Sequence, residues 1–594
     1  MDRPILSLDR PFTYTIADEL AAGVGSLVKV PFHGRAVRGW VLGPTDDVPS
    51  KVLPVRKLVS PVRFFDERML QVLRWVADRY VAPLAAVIAR SHPPRVAAEE
   101  IGGAGLANSR ARGASASRRG SRSAGATPHA THLLAAYRGG PDLLRAVSSS
   151  SGGFVLRPAP DEEVVVAVEL AGAAIAAGRT VLVLVPEASP LPATAAALLE
   201  AVGDRAVLFS GGDRRSRYRT WLEIAGGRFD CVVGTRPALF APVVDLGLVL
   251  VARESHANHR EERAPYYHVR DVALARARVD GATCVLSALC PSSEAAALGL
   301  PTIASAGRRW PPVEVVRPGT EGRAPRLVAA LKAARRAFLY SPVPGYGVAQ
   351  VCRSCGEPAR CGACGGIIRQ AEGRIACAVC GARGRCGSCG SVDLGIRRGG
   401  AERVEEWAAR LATVPVRRIK GRGPEPGDAV VVGGPDAVKD VGTPALDLVG
   451  ILDVDLAERR PGLSALERSL ATWMEAAAWA APHGRVVVQA SRPNDPAVQA
   501  LVSGRPERFH RAEAARRASA GFPVGHPVFR VVGSPDLPGE LERLGPTTLL
   551  VSVEEGLTLC LLALDPARLE RFGRAARELA ERDVVRRVEA EPHL

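Results

Sequence analysis

Eight of the twelve cysteines stand in four C-x-x-C pairs, Cys352/Cys355, Cys361/Cys364, Cys377/Cys380 and Cys386/Cys389. Two thiolates at that spacing reach one tetrahedral metal from a single tight turn, the usual construction of a structural zinc site. The gaps between pairs are five, twelve and five residues, a symmetry that predicts nesting. The central segment, Gly365 to Ala376, reads as a β-hairpin with arms Ile367-Ile-Arg-Gln and Arg374-Ile-Ala. It would close Cys361, Cys364, Cys377 and Cys380 around one zinc. Cys352, Cys355, Cys386 and Cys389 would then hold a second, giving two Zn2+ per chain. A full set of thiolates leaves no open position for water or substrate, so the expected role is structural. An iron–sulfur cluster is the chemical rival, since thiolates also suit iron. Six arginines and two glutamates lie between Cys352 and Cys389, a surface that suits nucleic acid or solvent equally. Cys231, Cys284, Cys290 and Cys560 sit among apolar neighbours and read as inert core.

The elements that must carry this insert are an alternation of apolar runs and helical stretches. Phe154 to Leu156, Val181 to Val185, Cys231 to Val233, Leu248 to Val251 and Cys284 to Leu286 predict the strands of a parallel α/β lobe. A second series starts at Ala337-Phe-Leu-Tyr and resumes, beyond the cysteines, at Ala429-Val-Val-Val, Leu448 to Leu452 and Arg485 to Gln489. Ahead of both, Phe12 to Ile16, Leu27 to Phe32 and Val37 to Leu42 predict a small β-rich domain. Met69, Val72, Leu73, Val76 and Tyr80 recur at helical spacing and predict a helix on it. Residues 102–125 are mostly Gly, Ala, Ser and Arg, with too little to bury, and read as a solvated basic linker. The last hundred residues suggest a closing α+β domain. The expected organisation is 1–100 N-terminal domain, 101–150 linker, 151–310 first lobe, 311–350 start of the second lobe, 351–392 two-zinc insert, 393–490 remainder of the second lobe and 491–594 C-terminal domain.

The chain has 594 residues, 78 basic against 62 acidic, and a formal charge of +16. That balance favours anionic partners, nucleic acid before membrane surfaces. Glu169 and Arg179 interrupt the best apolar run short of the ~18 residues a spanning helix needs, so no membrane role is expected. Met-Asp-Arg-Pro does not open like a secretory signal, which predicts a cytoplasmic, reducing setting without disulfides. Lysine occurs only at positions 29, 51, 57, 332, 420 and 439. The long gap removes lysine-dependent phosphate chemistry from the first lobe.

In this order of domains, several segments resemble the PriA family of replication-restart helicases. They are Asp9-Arg-Pro-Phe-Thr-Tyr and Val28-Lys-Val-Pro-Phe-His-Gly-Arg near the start, then Leu184-Val-Pro-Glu, Phe209-Ser-Gly-Gly and Val233-Gly-Thr-Arg-Pro-Ala-Leu-Phe-Ala-Pro. Ala264-Pro-Tyr-Tyr-His-Val-Arg-Asp and Gly400-Ala-Glu-Arg-Val-Glu-Glu complete the set. The resemblance implies two RecA-like lobes, with Phe12, Gly34 and Lys57 as a DNA 3′-end pocket. Thr13 departs from it, since the family has an acid there. A DNA-coupling loop would contain Tyr266, Tyr267 and Arg270, whose chemistry suits base stacking with phosphate contact or packing within the lobe. The family's winged-helix module has no counterpart, because the linker occupies its place.

The ATPase motifs depart from the family pattern. Arg157-Pro-Ala-Pro-Asp-Glu-Glu puts acids where the family has Gly-Lys-Thr, and carboxylates there repel a triphosphate. The Asp-Glu-x-His box reads Arg253-Glu-Ser-His, and the arginine-bearing box reads Met474-Glu-Ala-Ala-Ala-Trp-Ala-Ala. No catalytic residue is therefore expected. The resemblance implies a nucleoid-associated protein that binds branched and single-stranded DNA at abandoned or stalled forks. It would promote reloading of the replicative helicase with other primosome proteins and single-stranded DNA-binding protein, without unwinding DNA itself. Two other classes stay open: an ATP-dependent 3′ to 5′ helicase with an atypical nucleotide site, and a zinc-ribbon interaction scaffold.

Overall fold

The computed structural model describes residues 5–100, 133–149, 152–306, 310–318, 323–342, 350–355, 359–366, 368–371, 374–377, 379–396, 400–425, 427–459, 462–554 and 556–592. Of the expected linker 101–150, residues 101–132 lie outside them. Two units form: 1–308 with 510–594, and 309–509.

In the first unit, the strand Ser26–Phe32 pairs antiparallel with Arg35–Trp40 on one side and Lys57–Arg63 on the other. Phe32 faces Arg35 across a two-residue turn in which His33 and Gly34 have φ of 45° and 74°. Both values are positive, as the turn that matches strand twist requires, and Gly34 meets this at no steric cost. The apolar stripe at Met69, Val72, Leu73 and Val76 folds as the helix Glu67–Arg79, whose first turn is capped by Asp66 accepting from Met69 N at 2.9 Å.

The first lobe is an eight-stranded sheet. Its strands run in the order Tyr137–Arg138, Thr302–Ser305, Gly153–Arg157, Thr283–Ser287, Leu246–Ala252, Thr180–Leu184, Cys231–Gly234 and Ala206–Phe209. All neighbours are parallel except the first pair. The expected linker therefore ends too late. Leu134, Tyr137, Leu143 and Val147 are buried in the lobe core beside Leu156 and Leu170, so residues 133–149 belong to the lobe.

A four-stranded antiparallel sheet, Thr548–Glu554, Leu557–Ala563, Val528–Gly533 and Val585–Ala590, completes this unit with the helix Leu569–Glu581. Phe529, Leu562 and Phe572 from it join Leu73 and Val76 from the N-terminal helix and Leu239 and Val272 from the lobe in one apolar core. Asp9 accepts from Arg577 Nε at 2.9 Å at the same junction.

The second unit is a six-stranded parallel sheet ordered Val313–Val316, Ala480–Gln489, Leu446–Ile451, Arg336–Tyr340, Ala429–Gly433 and Val416–Arg418. The cysteine-rich insert leaves it after Tyr340 and returns at the helix Ala401–Ala409. Helix Pro496–Ser503 also belongs here rather than to a C-terminal domain starting at 491, because Trp310 Nε1 donates to Leu501 O at 2.7 Å. Among the described residues no helix is long and apolar enough to cross a membrane.

Candidate metal centres and nucleic-acid interface

The strands Ile368–Ala371 and Arg374–Cys377 pair antiparallel as the expected hairpin. They gather Cys361, Cys364, Cys377 and Cys380 into one set, while Cys352, Cys355, Cys386 and Cys389 form the other. Within each set all ligand atoms lie within 4.8 Å of one another. Sγ···Sγ separations across the pairs are 3.4 and 3.6 Å in the inner set and 3.4 and 3.7 Å in the outer. Four sulfurs bound at about 2.3 Å would stand about 3.8 Å apart in a tetrahedron, so both sets fit one metal ion each.

The turn geometry explains why these sequences make such cages. Gly365, Gly381 and Gly390, each following the second cysteine of its pair, have φ of 69°, 69° and 74°. Each amide donates back to the first cysteine's carbonyl, at 2.8, 3.1 and 2.7 Å. That left-handed step turns the chain so that both thiols face inward. Backbone amides also prepare the thiolates: the Cys355 amide lowers the Cys352 thiol to about 6, and the Cys380 amide does so for Cys377, also about 6. Each set pairs two buried cysteines with two exposed ones, on a small core of its own containing Ala359 and Ile368.

In the first lobe, the loop between strand Gly153–Arg157 and helix Glu163–Ala176 is occupied by the protein's own side chains. The Ala159 amide donates to Tyr137 Oη at 2.8 Å, and that hydroxyl donates to Glu162 Oε2 at 2.5 Å. All three residues are buried. Burial, then the bond to Glu162, raises the Tyr137 phenol above its ordinary range.

The degenerate acidic box is similarly engaged. Glu254, fully buried, accepts from Arg270 at 3.1 Å, from the Ser292 amide at 2.9 Å and from Ser292 Oγ at 2.7 Å. Arg253 adopts φ 51° and is buried. In the second lobe, Met474 is buried and Trp479 packs edge-on against Phe338 at 5.0 Å, so the third box serves the core.

Tyr266, Tyr267 and Arg270 do not present themselves to a nucleobase. Tyr267 stands edge-on to Phe240 at 5.3 Å, and Tyr266 accepts from Arg587 at 3.4 Å. They are 2% and 8% exposed. Arg270 is ion-paired to Glu254 and Asp271. Apolar and ion-pair partners supplied by distant segments engage these side chains within the unit.

Phe12 rests half-buried against Phe32, ring centroids 5.3 Å apart, with the Arg10 guanidinium 5.6 Å from its ring centre. Gly34 lies at the exposed hairpin tip, and a Cβ there would meet nothing within 4 Å. Thr13 Oγ1 donates to Asp47 O at 3.3 Å. Lys57 is exposed and directly opposite Lys29. Two features escaped the sequence reading. Tyr137 fell inside the assumed linker, although Leu133-Leu-Ala-Ala-Tyr already breaks the linker's composition. The neighbours of Lys29 depend on strand register, which no local pattern fixes.

Residues 2–93 match the family model of the PriA 3'DNA-binding domain (3'BD). A DNA-binding module thus precedes two parallel α/β lobes, one of which bears paired four-cysteine centres. The chain is 30% identical over 613 residues to the probable replication restart protein PriA of Mycobacterium leprae, covering 91% of this chain and 90% of that one. It is 29% identical to the protein of that name from Mycobacterium tuberculosis, covering 87% and 83%, and 28% identical to the replication restart protein PriA of Treponema pallidum, also covering 87% and 83%. The chain belongs to the PriA family of replication restart proteins.

Proposed function

We propose that this protein recognises abandoned or stalled replication forks and promotes reloading of the replicative helicase without unwinding DNA itself. The observation that carries this reading is the Tyr137–Ala159–Glu162 cluster. A phosphate-binding loop offers free backbone amides and a nearby cation; here the Ala159 amide is bonded to a tyrosine and a carboxylate lies beside it. Glu254, the remaining acid of the second box, neutralises Arg270.

The lobes then serve as a scaffold that joins the DNA-binding domain to the cysteine centres, each of which holds one structural zinc. Phe12 stacks on a terminal base, Gly34 gives close backbone approach and Lys57 contacts phosphate. Thr13, lacking a carboxylate, weakens selectivity for a free 3′ hydroxyl. The replicative helicase, other primosome proteins and single-stranded DNA-binding protein are the protein partners, and the setting is the nucleoid.

Purified protein tested for DNA-stimulated ATP hydrolysis and unwinding, beside fork binding, decides the matter. Fork binding without hydrolysis is expected. Fork-dependent hydrolysis would overturn the scaffold reading in favour of an active helicase, and failure to bind forks would leave an interaction scaffold.

A further inference from the structure

The middle strand of the N-terminal sheet carries a cation with a cation on each side. Lys29 stands directly opposite Arg38 in one neighbouring strand and Lys57 in the other. Val28 and Val30, which flank it, are each 3% exposed and face a small core with Val37 and Leu58. Strand alternation therefore sends Lys29, Arg38 and Lys57 to the opposite face. Arg38 and Lys57 are exposed there, and Lys29 is half-buried.

Like charges directly opposite one another destabilise an antiparallel pair, and Lys29 takes part in two such pairs. Lysine is also rare here, six residues among 78 basic ones, yet two of the six make this one cross-strand pair. Among the described residues neither Lys29 nor Lys57 forms an ion pair. Lys29 and Lys57, two ammonium groups set side by side against their own repulsion, fit an anion that both share.

We propose that Lys29 and Arg38 extend the phosphate contact of the end-pocket residue Lys57 into a phosphodiester-binding row, Lys29 and Arg38 holding the sugar–phosphate backbone of a DNA arm independently of any 3′ end. The proposal rests on the reading of this domain as a DNA binder and adds a second contact to it. Strands about 4.8 Å apart make the row about 10 Å long, which a DNA strand covers in about three nucleotides at its 3.4 Å rise. Ammonium groups act on phosphate as point charges and carry no sequence information. The row thus fixes the arm's position, while Phe12 at the hairpin end reads the terminus.

The test uses the full chain and two forks, one with a 3′ end at the branch and one without, titrated between 50 and 200 mM salt. Lys29→Gln and Arg38→Gln should each lower the slope of log affinity against log salt by about one, equally on both forks. Lys29→Arg should keep the slope, showing that charge rather than damage is read out. Phe12→Ala should lose affinity on the 3′-end fork alone. Unchanged slopes for both Gln variants would overturn the row, as would a Lys29→Arg slope as low as that of Lys29→Gln. Equal effects of Phe12→Ala on the two forks would overturn end reading while leaving a shifted slope, and the row, in place.

Discussion

Tyr80 closes the joint between the N-terminal helix and the first lobe by donating its hydroxyl to Asp271 Oδ2 at 3.1 Å. The Tyr80 hydroxyl oxygen in turn accepts from the His268 amide at 3.1 Å. Burial alone would push the Asp271 carboxyl up, but Arg270 and His268 hold it well below the usual carboxylate range. Tyr80→Phe strips a partner from each of two half-buried polar groups. It should cost about 1 to 3 kcal/mol of stability, measurable as a lowered denaturant midpoint at unchanged slope.

Metal analysis of the purified protein should give two zinc ions per chain and no iron, in keeping with the two four-cysteine sets. Cys361→Ser should lose one of them. Because the insert has its own small apolar core, hydrogen exchange should rise in the insert while the parallel sheets keep their protection. A stoichiometry near one in the parent protein, or a coloured iron centre, would contradict this.

Mg-ATP should leave the melting temperature of the protein flat. A ligand at a hundred times its dissociation constant adds about 2.7 kcal/mol of apparent stability, so a real site would be plain. Tyr137→Phe removes the hydroxyl bonded to Ala159 and Glu162 and should lower stability by about 1 to 3 kcal/mol without creating nucleotide binding. A nucleotide-dependent rise in either protein would show that a phosphate site survives.

Stability should also fall between pH 6.5 and 4. Burial drives the His259 imidazole down to about 4, helped by Arg236 and Arg253, although its bond to Ala252 O opposes this. An unfolded histidine takes up its proton near pH 6.5. Over the window between, the unfolded chain binds more protons and acid favours it; above the window the contribution is complete. The slope for one such group is about 1.4 kcal/mol per pH unit. His259→Gln should flatten the pH dependence of the unfolding free energy over this range relative to the parent, and an unaltered profile would remove His259 as its source.

Features governed by local spacing were legible in the sequence. The helix at 67–79 followed from its apolar stripe, and the nesting of eight cysteines followed from the symmetry of their gaps. Features governed by distant partners were not. Tyr137–Arg138 is a two-residue strand whose pairing partner begins at Thr302. Tyr266 and Tyr267 suit a DNA surface and a core equally well until Phe240 and Arg587 are in place. The cationic row needed the register of three strands, and a slip of one residue would have buried Lys29 instead of Val28.

The first unit is interrupted in the chain: its opening residues 1–308 are completed only by 510–594, with the second unit between them. Translation therefore delivers the whole of the second unit before the first has its last sheet. Until then, core positions such as Leu73 and Val76 await Phe529 and Phe572. At the usual pace of synthesis residues 309–594 take roughly 15 to 60 seconds to emerge. The nascent DNA-binding half spends that interval with apolar surface uncovered, which makes chaperone dependence and sensitivity to late truncation direct consequences of the order of segments.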